Sequence, residues 1–468
     1  MTALQTASSL VYLICAVCYV IGVHLMRSPK TARRGNGLSA VGMILAVIMI
    51  IVQLAAEHRM TAAGLLVLLI GLLLGAAYGI HRARTVPMTN VPQLVSLFNA
   101  VGGGAAATIG IFDYTKAISG SALPLAFSLP VVLDVLIGGI TFSGSLVATG
   151  KLSGRLPGKP MTFTGSRLLN IMAIIAIVGA AGFMMASPNA IVYLYICLIA
   201  SLAFGLLMAL PIGGADMPVV VSLLNAFTGL AVAFAGFVIN NQVLIIAGAL
   251  VGAAGTILTL QMAEAMNRSV AKIMAGGFGA APAAAASDQT AVNVKKTTAD
   301  DVGLQLAYAH HVMIVPGYGL AAAQAQHEVA ELAKLLSDHG IDVNYAIHPV
   351  AGRMPGHMNV LLADVNVPYE QMKQLEDANS MFEATDVSLV IGANDVTNPL
   401  AREKGTVISG MPILNVDQSK SIVVIKRSLH TGYAGVQNPL FANPKTSMLF
   451  ADAKKGVKEI IAAAKEYL

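Results

Sequence analysis

Charge is scarce in this sequence. Only 11% of its 468 residues are charged, against roughly 25% in ordinary soluble domains. The shortage is uneven. Residues 1–262 hold 12 Lys/Arg and 4 Asp/Glu, whereas residues 263–468 hold 17 Lys/Arg and 20 Asp/Glu. The overall +5 thus averages a basic, charge-poor part (+8) and a mildly acidic one (−3). Such a distribution excludes a single soluble globule, a disordered chain and a basic nucleic-acid binder. Cysteine is also sparse: Cys15, Cys18 and Cys197 all lie in apolar runs. Cys15 and Cys18 form a C-x-x-C with no second ligand pair and no βαβ context, so they read as packing residues.

What remains in the first part is apolar. Nine runs, near 4–26, 38–56, 62–80, 91–112, 123–149, 168–187, 190–210, 216–239 and 243–262, are long enough to cross a bilayer as helices. The first has neither a basic flank nor an A-x-A site, so it is expected to be a retained helix rather than a signal peptide. Loops 27–37, 81–90 and 150–167 carry Arg27, Lys30, Arg33, Arg34, Arg82, Arg84, Lys151, Arg155, Lys159 and Arg167. The alternate loops carry only Arg59 and Lys116. The positive-inside rule places the N-terminus outside and residue 263 onward in the cytoplasm. The odd number of spans agrees.

One segment repeats. PQLVSLFNAVGGGA (92–105) and PVVVSLLNAFTGLA (218–231) each open a span with Pro and place an Asn two turns in, Asn99 and Asn225. Paired polar interruptions mark transport pathways, although an intramembrane Asn also serves to bond a neighbouring helix. Asp134 lies within span five and Asp216 opens span eight after Gly213-Gly214. Ionisable groups at such depth are functional candidates. At a helix start Asp216 equally reads as a cap.

Residues 275–300 are Ala- and Gly-rich, then polar, as in a flexible linker. The expected domains are therefore a membrane domain (1–262), a linker (263–300) and an α/β domain (301–468). Strands are expected at His311–Pro316, Asp342–His348, Met358–Val365, Val387–Gly392, Pro412–Val416 and Ser421–Lys426. Helices are expected at 319–339, 369–383 and 451–467. This alternation predicts a Rossmann-like, doubly wound parallel sheet.

The first strand runs into Gly317-Tyr318-Gly319-Leu320-Ala321-Ala322, a G-x-G-x-x-A in the strand-to-helix setting of a dinucleotide fingerprint. The second strand ends Ala346-Ile347-His348-Pro349, without the carboxylate that takes a ribose 2′-hydroxyl in NAD binders. Lys426-Arg427-Ser428 close the last strand, and two cations with a hydroxyl suit a 2′-phosphate. Further glycine-rich loops fall at strand ends: Val350-Ala351-Gly352-Arg353-Met354-Pro355-Gly356, Gly392-Ala393-Asn394-Asp395, and Gly432-Tyr433-Ala434-Gly435-Val436-Gln437-Asn438. The last is long enough to fold over a ligand. No metal site is expected: His327-Glu328 lacks the second His of H-E-x-x-H, and His348 and His357 have no further ligands in sequence.

Together these residues resemble the beta subunit of the proton-translocating NAD(P) transhydrogenases. The matching stretches are GGADMPVVVSLLNAF (213–227), AMNRS (265–269), AGGFG (275–279), PGYGLAAAQAQ (316–326), HPVAGRMPGHMNVLLA (348–363), VPY (367–369), IGAND (391–395), KRS (426–428) and TGYAGVQNPLF (431–441). The similarity extends over essentially the whole chain and is loosest in spans one to three and the linker.

The resemblance implies that this chain binds NADP(H). The cofactor residues it implies are Gly317, Tyr318, Gly319, Ala322, Val350 to Pro355, Gly392 to Asp395, Lys426 to Ser428, Gly432 to Gly435, and Asn438. Asp395 and Tyr433 are the implied catalytic residues. An alpha subunit would supply the NAD(H) domain and further membrane helices, in a dimer of alpha–beta units embedded in lipid. Hydride would pass from NADH to NADP⁺, coupled to inward proton flow. Many relatives carry a proton-handling His in span four, where this chain has Asn99, and an Asn cannot take up a proton near neutral pH. The path would then use a group on a partner helix beside Asn99, or water held by Asn99 and Asn225. Gly213, Gly214, Asp216 and the linker are candidate relays. A channel gated by an NADP-sensing Rossmann domain would share this layout. A membrane-anchored NADPH reductase would also share it, but no flavin motif or second substrate site is recognisable.

Overall fold

The computed structural model describes residues 3–468 except 27, 57–60, 119–122, 159, 187–190, 214–215, 267–268, 277–293, 353, 355, 407 and 433. Among the described residues, nine helices are long and apolar enough to cross a membrane. They are α1 (Ala3–Leu25), α2 (Pro29–Ala56), α3 (Ala62–Thr85), α4 (Val91–Ala117), α5 (Leu125–Leu152), α6 (Ser166–Ala186), α7 (Ile191–Ala209), α8 (Met217–Val238) and α9 (Gln242–Ala265). Each coincides with one expected span, but several run past the apolar segment. Residues 30–34, expected in a loop, form the start of α2, and Arg82 and Arg84 sit in the last turn of α3. The helix can continue because long cationic side chains carry their charge to the interface along an apolar stem.

Small residues set the helix packing, as expected where lipid is as apolar as the side chains. Gly103 of α4 meets Gly138 and Thr141 of α5; Gly229 of α8 meets Gly248 and Gly252 of α9. A Cβ at Gly229 would stand 2.3 Å from the Gly252 nitrogen, so no other residue allows this approach.

After α9 come α10 (Val270–Gly276), β1 (Lys295–Lys296), α11 (Ala299–Ala307), β2 (His311–Pro316), α12 (Tyr318–Ala322), α13 (Gln326–Asp338), β3 (Asp342–Ala346), α14 (His357–Asp364), β4 (Met372–Lys373), α15 (Leu375–Met381), β5 (Val387–Ile391), β6 (Ser421–Ile425), β7 (Thr446–Leu449) and α16 (Ala453–Tyr467). The strands form one sheet of order β1-β7-β6-β5-β2-β3-β4, parallel throughout. Apart from the added edge strand β1, this is the doubly wound Rossmann order, with its reversal between β2 and β5.

Alternating residues feed opposite faces. Val312 and Ile314 of β2 join one core with Leu389 and Val423, while Met313 and Val315 join the other with Val390 and Val424. Each such fully buried side chain contributes about 1.5–3 kcal/mol. At the opposite edge of the strands Asp386 ties their starts together. Its carboxylate accepts from Lys420 Nζ (2.8 Å) and from the backbone N–H groups of His310 (2.8 Å) and His311 (3.0 Å). The Lys420 bond, with those backbone donors, holds it well below the ordinary carboxylate range.

Four expected elements are corrected. Residues 358–365 form helix α14, not a strand: Met358, Leu361 and Leu362 are buried at helical spacing while Val360 is exposed. Residues 412–416 are extended but form no strand. The Asn379 amide takes the place of a ladder, donating to Ile413 O (3.0 Å) and accepting from Asn415 N (2.8 Å). The 369–383 helix divides, because Met372 and Lys373 pair with Tyr345 and Ala346 before α15 begins. The 319–339 helix likewise breaks into α12 and α13 at Gln324, whose φ is +51°. Within the stretch expected as linker, β1 pairs with β7, and Thr298 with Asp301 forms a capping box on α11. Residues 277–293 of that stretch lie outside the described residues.

Candidate functional site

The loops after β2 and β5 meet at the strand-order reversal. Gly317 N donates to Ile391 O (2.9 Å) and Gly319 N to Gly392 O (3.0 Å). A Cβ on Gly317 would lie 2.4 Å from the Ala393 Cα and N, and one on Gly319 2.6 Å from the Gly392 Cα. Gly392 itself has φ +66°. The close approach these glycines permit is thus first to the neighbouring crossover loop. Beyond them Tyr318 is half-buried and Ala322 exposed at the end of the short α12.

The β3 loop is pinned by a buried histidine. His348 Nε2 bonds Pro412 O (2.8 Å) and Nδ1 accepts from Val350 N (3.2 Å), which makes Nε2 the protonated nitrogen. Its pKa falls from 6.5 to about 4, chiefly through burial. Ala351 is buried, and Val350, Gly352 (φ +106°) and Met354 are half-buried around it. Arg353 and Pro355 lie outside the described residues. Because the folded state resists protonation, His348 contributes its full share of stability above pH 6.5 and loses it as pH falls toward about 4. We expect acidification through that window to cost about 3 kcal/mol. His348→Gln should remove this component from the pH dependence of thermal unfolding; an unchanged slope would contradict the assignment.

On β6 the two cations differ. Lys426 Nζ turns inward, donating to His430 O and lying 4.9 Å from the centre of the Phe441 ring. Burial lowers its pKa, opposed by the nearby Asp395 charge. Arg427 is exposed and enters no ion pair among the described residues, and Ser428 beside it is half-buried. Sequence reasoning grouped these three residues; the structure separates the cation that ties down a loop from the one that is open to a ligand.

The loop from Gly432 to Asn438 is strapped to the β5 loop. Asp395 Oδ2 accepts from Ala434 N (3.0 Å), and Gly432 packs so closely on that carboxyl that a Cβ would stand 2.5 Å from its oxygens. With its amide turned to match its neighbours, Asn394 accepts from Gly432 N (2.6 Å) and Lys426 Nζ (3.1 Å). Asn438 Nδ2 donates to Asn394 O (3.0 Å), and Asn398 Nδ2 to Gln437 O (3.0 Å). Tyr433 lies outside the described residues, and Gly435 (φ +72°) is exposed at the loop tip.

Asn398 went unnoticed in the sequence, though a signal existed. Asn398-Pro399-Leu400 and Asn438-Pro439-Leu440 repeat one tripeptide. Each Asn accepts from the Leu N–H two residues on, starting a 3-10 turn, and each donates to the segment that holds the other.

In the membrane region the repeated segment has a structural meaning. Ser96 Oγ donates to Ser145 O of α5 (2.9 Å), and its counterpart Ser222 to Gly255 O of α9 (3.3 Å). Seven residues on, Gly103 and Gly229 pack against the same two helices. The repeat therefore encodes two similar helix hairpins. Its asparagines diverge: Asn99 is buried and donates to Val221 O of α8 (3.3 Å), whereas Asn225 is half-exposed. Asp216 stands at the N-cap of α8 without a side-chain capping bond, and Gly214 lies outside the described residues. Asp134 is completely buried in α5 against Gly110 of α4.

Among the described residues, nine helices long and apolar enough to cross a membrane precede a parallel Rossmann-like sheet, the architecture of a membrane chain with a dinucleotide-type domain. A family model described as NAD(P) transhydrogenase beta subunit matches residues 8–463. Two relatives named NAD(P) transhydrogenase subunit beta, both from Rhodospirillum rubrum, are each 43% identical over 463 residues, spanning 97% of this chain and 98% of the relative. The chain belongs to the NAD(P) transhydrogenase beta subunit family.

Proposed function

We infer that this chain is the NADP(H)-binding, proton-translocating subunit of a transhydrogenase, working with an alpha subunit that binds NAD(H). The observation that carries the cofactor choice is the exposed Arg427 at the carboxyl end of β6, paired with the absence of a carboxylate at the end of β3. A guanidinium recognises phosphate by paired N–H donors, and strand carboxyl ends around the order reversal are where such sheets bind ligands.

In this reading the loops at Gly317–Gly319, Val350–Pro355, Gly392–Asp395 and Lys426–Ser428 surround NADP(H), and Gly432–Asn438 covers it. NADP⁺ supplies the hydride-accepting nicotinamide. The chain itself positions the cofactor and keeps water away, with Asp395 and Tyr433 as the catalytic residues; no protein nucleophile is needed. Lys426 and Asn394 hold the covering loop, so cofactor exchange requires these bonds to open. Asn99, Asn225, Asp134 and Asp216 belong to the proton route. Coupling works by linkage: protonation that favours one nucleotide state is itself favoured by that state, equally. Residues 1–262 form the membrane domain of an inner-membrane protein, joined through 263–300 to the cytoplasmic domain at 301–468.

The test is hydride exchange between NADH and an NADP analogue in vesicles holding both subunits. Exchange that accelerates under an inward proton gradient is expected. Absence of exchange, together with a solute flux that responds to NADP, would establish a nucleotide-gated channel instead.

A further inference from the structure

Asp134 is 0% exposed, and neither carboxyl oxygen has a hydrogen-bond partner among the described residues. It lies about 13 Å along α5 from the helix start. Gly110 of α4 faces it so closely that a Cβ there would stand 2.8 Å from Oδ2. An unpaired carboxylate in that setting is too costly to persist, so the resting group is the neutral acid. Among the described residues no ion pair relieves it. The titratable groups on the helices packed against this part of α5 are Asp113, Tyr114 and Lys116 of α4 and Tyr193, Tyr195 and Cys197 of α7; α6 offers only Arg167 at its far end, and α8 none.

Two features connect this acid to both sides. One turn beyond Gly110, Asp113 lines an open cleft of about 450 Å³ with Lys116, Phe127, Val238 and Asn240, at the end of the bundle that the charge bias places outside. Tyr114 of α4 and Val131 of α5, both fully buried, belong to one packed cluster with Val132 and Val135, the neighbours of Asp134 on α5. In the other direction α5 presents Thr141 and Ser145 toward α4. Thr141 packs on Gly103. Ser145 Oγ is buried without a partner, while the Ser145 carbonyl receives Ser96 Oγ, one turn before Asn99. Unpartnered buried hydroxyls of this kind are met by internal water.

We propose that Asp134 is the proton-binding residue of the outer half of the route, with Asp113 at its mouth. This rests on the translocation reading above. The neutral Asp134 gives its proton up inward, to water along Thr141 and Ser145 toward Asn99. The carboxylate so formed is reloaded by a proton from the outer phase that passes Asp113 when the packing at Tyr114 and Val131 opens. One proton enters and one leaves, and Asp134 returns to its starting form.

The test uses the complete alpha–beta complex in vesicles, with NADPH binding reporting that each variant is folded. Asp134→Asn is expected to lower the proton-driven rate of hydride transfer at least tenfold. Asp134→Glu is expected to recover much of that rate with a displaced pH profile, which a packing role would not produce. The infrared carbonyl band of the protonated acid should shift in Asp134→Glu, and this readout holds even if the Asn variant fails to assemble. Asp113→Asn should slow proton-driven turnover several-fold, most at high pH. A wild-type rate in Asp134→Asn, or an infrared spectrum unchanged in Asp134→Glu, overturns the proposal. A wild-type complex without proton-driven transfer overturns the transhydrogenase reading instead.

Discussion

Replacing Gly317 by Ala should destabilise the sheet domain by about 3 kcal/mol or more, because an added Cβ meets backbone rather than a side chain that could swing away. The obstruction is at 2.4 Å from Ala393 and 2.5 Å from the Gly392 carbonyl. Those atoms belong to the loop that also carries Asn394 and Asp395, so relief requires β5's loop to move and the covering loop with it. Gly392→Ala should do the same from the other side, with a left-handed φ of +66° added to a 2.3 Å approach to Gly319. Gly340→Ala is the comparison: its φ is +85° but nothing lies within 4 Å, so it should cost only about 1–2 kcal/mol. Thermal unfolding of the three variants checks this. For a domain of this size, about 3 kcal/mol corresponds to a fall of roughly 6–12 °C in Tm. Equal shifts for Gly317 and Gly340 would show that the two loops do not depend on their contact.

Arg427→Ala should weaken NADP(H) binding about tenfold to a hundredfold, the effect of about 1.5–3 kcal/mol lost with one charged hydrogen-bonding partner. Its side chain is exposed and outside the ion pairs of the described residues, so the fold should be indifferent to the change. Lys426→Ala should differ in kind. Removing that ammonium takes a donor from Asn394 and His430 and a cation from the Phe441 ring, which frees the covering loop and should speed nucleotide release. Titration calorimetry with NADPH, alongside release kinetics, separates the two roles. Unchanged NADPH affinity in Arg427→Ala would remove the phosphate assignment.

The features readable beforehand were those with a strong local cause. An apolar run of membrane length has one stable form, since every backbone polar group must be satisfied within the segment. The glycine fingerprint after a buried strand is similarly local, and β2 and β5 begin and end within a residue of expectation. Apolar runs failed where two periods fit them equally. Met358–Val365 reads as a strand until its buried positions are known. Residues 412–416 read as a strand because nothing local reveals that Asn379 will supply the hydrogen bonds. The short strands β1, β4 and β7 are two to four residues long and owe their form to the strand beside them.

Composition and pattern alone marked out the nine apolar segments that become membrane-length helices among the described residues, and the α/β domain after them, because hydrophobic length and strand–helix alternation are one-dimensional properties. Partnership between distant residues belongs to the fold. Lys426 and Arg427 are neighbours in sequence, yet burial turns one toward a loop and leaves the other open. Asn99 and Asn225 are equivalent in the repeat, yet Asn99 is buried and donates to the α8 backbone while Asn225, on α8, is half-exposed. Asp134 acquires its character from Gly110, twenty-four residues earlier, whose missing side chain brings the two helices together around a carboxyl with no hydrogen-bond partner among the described residues.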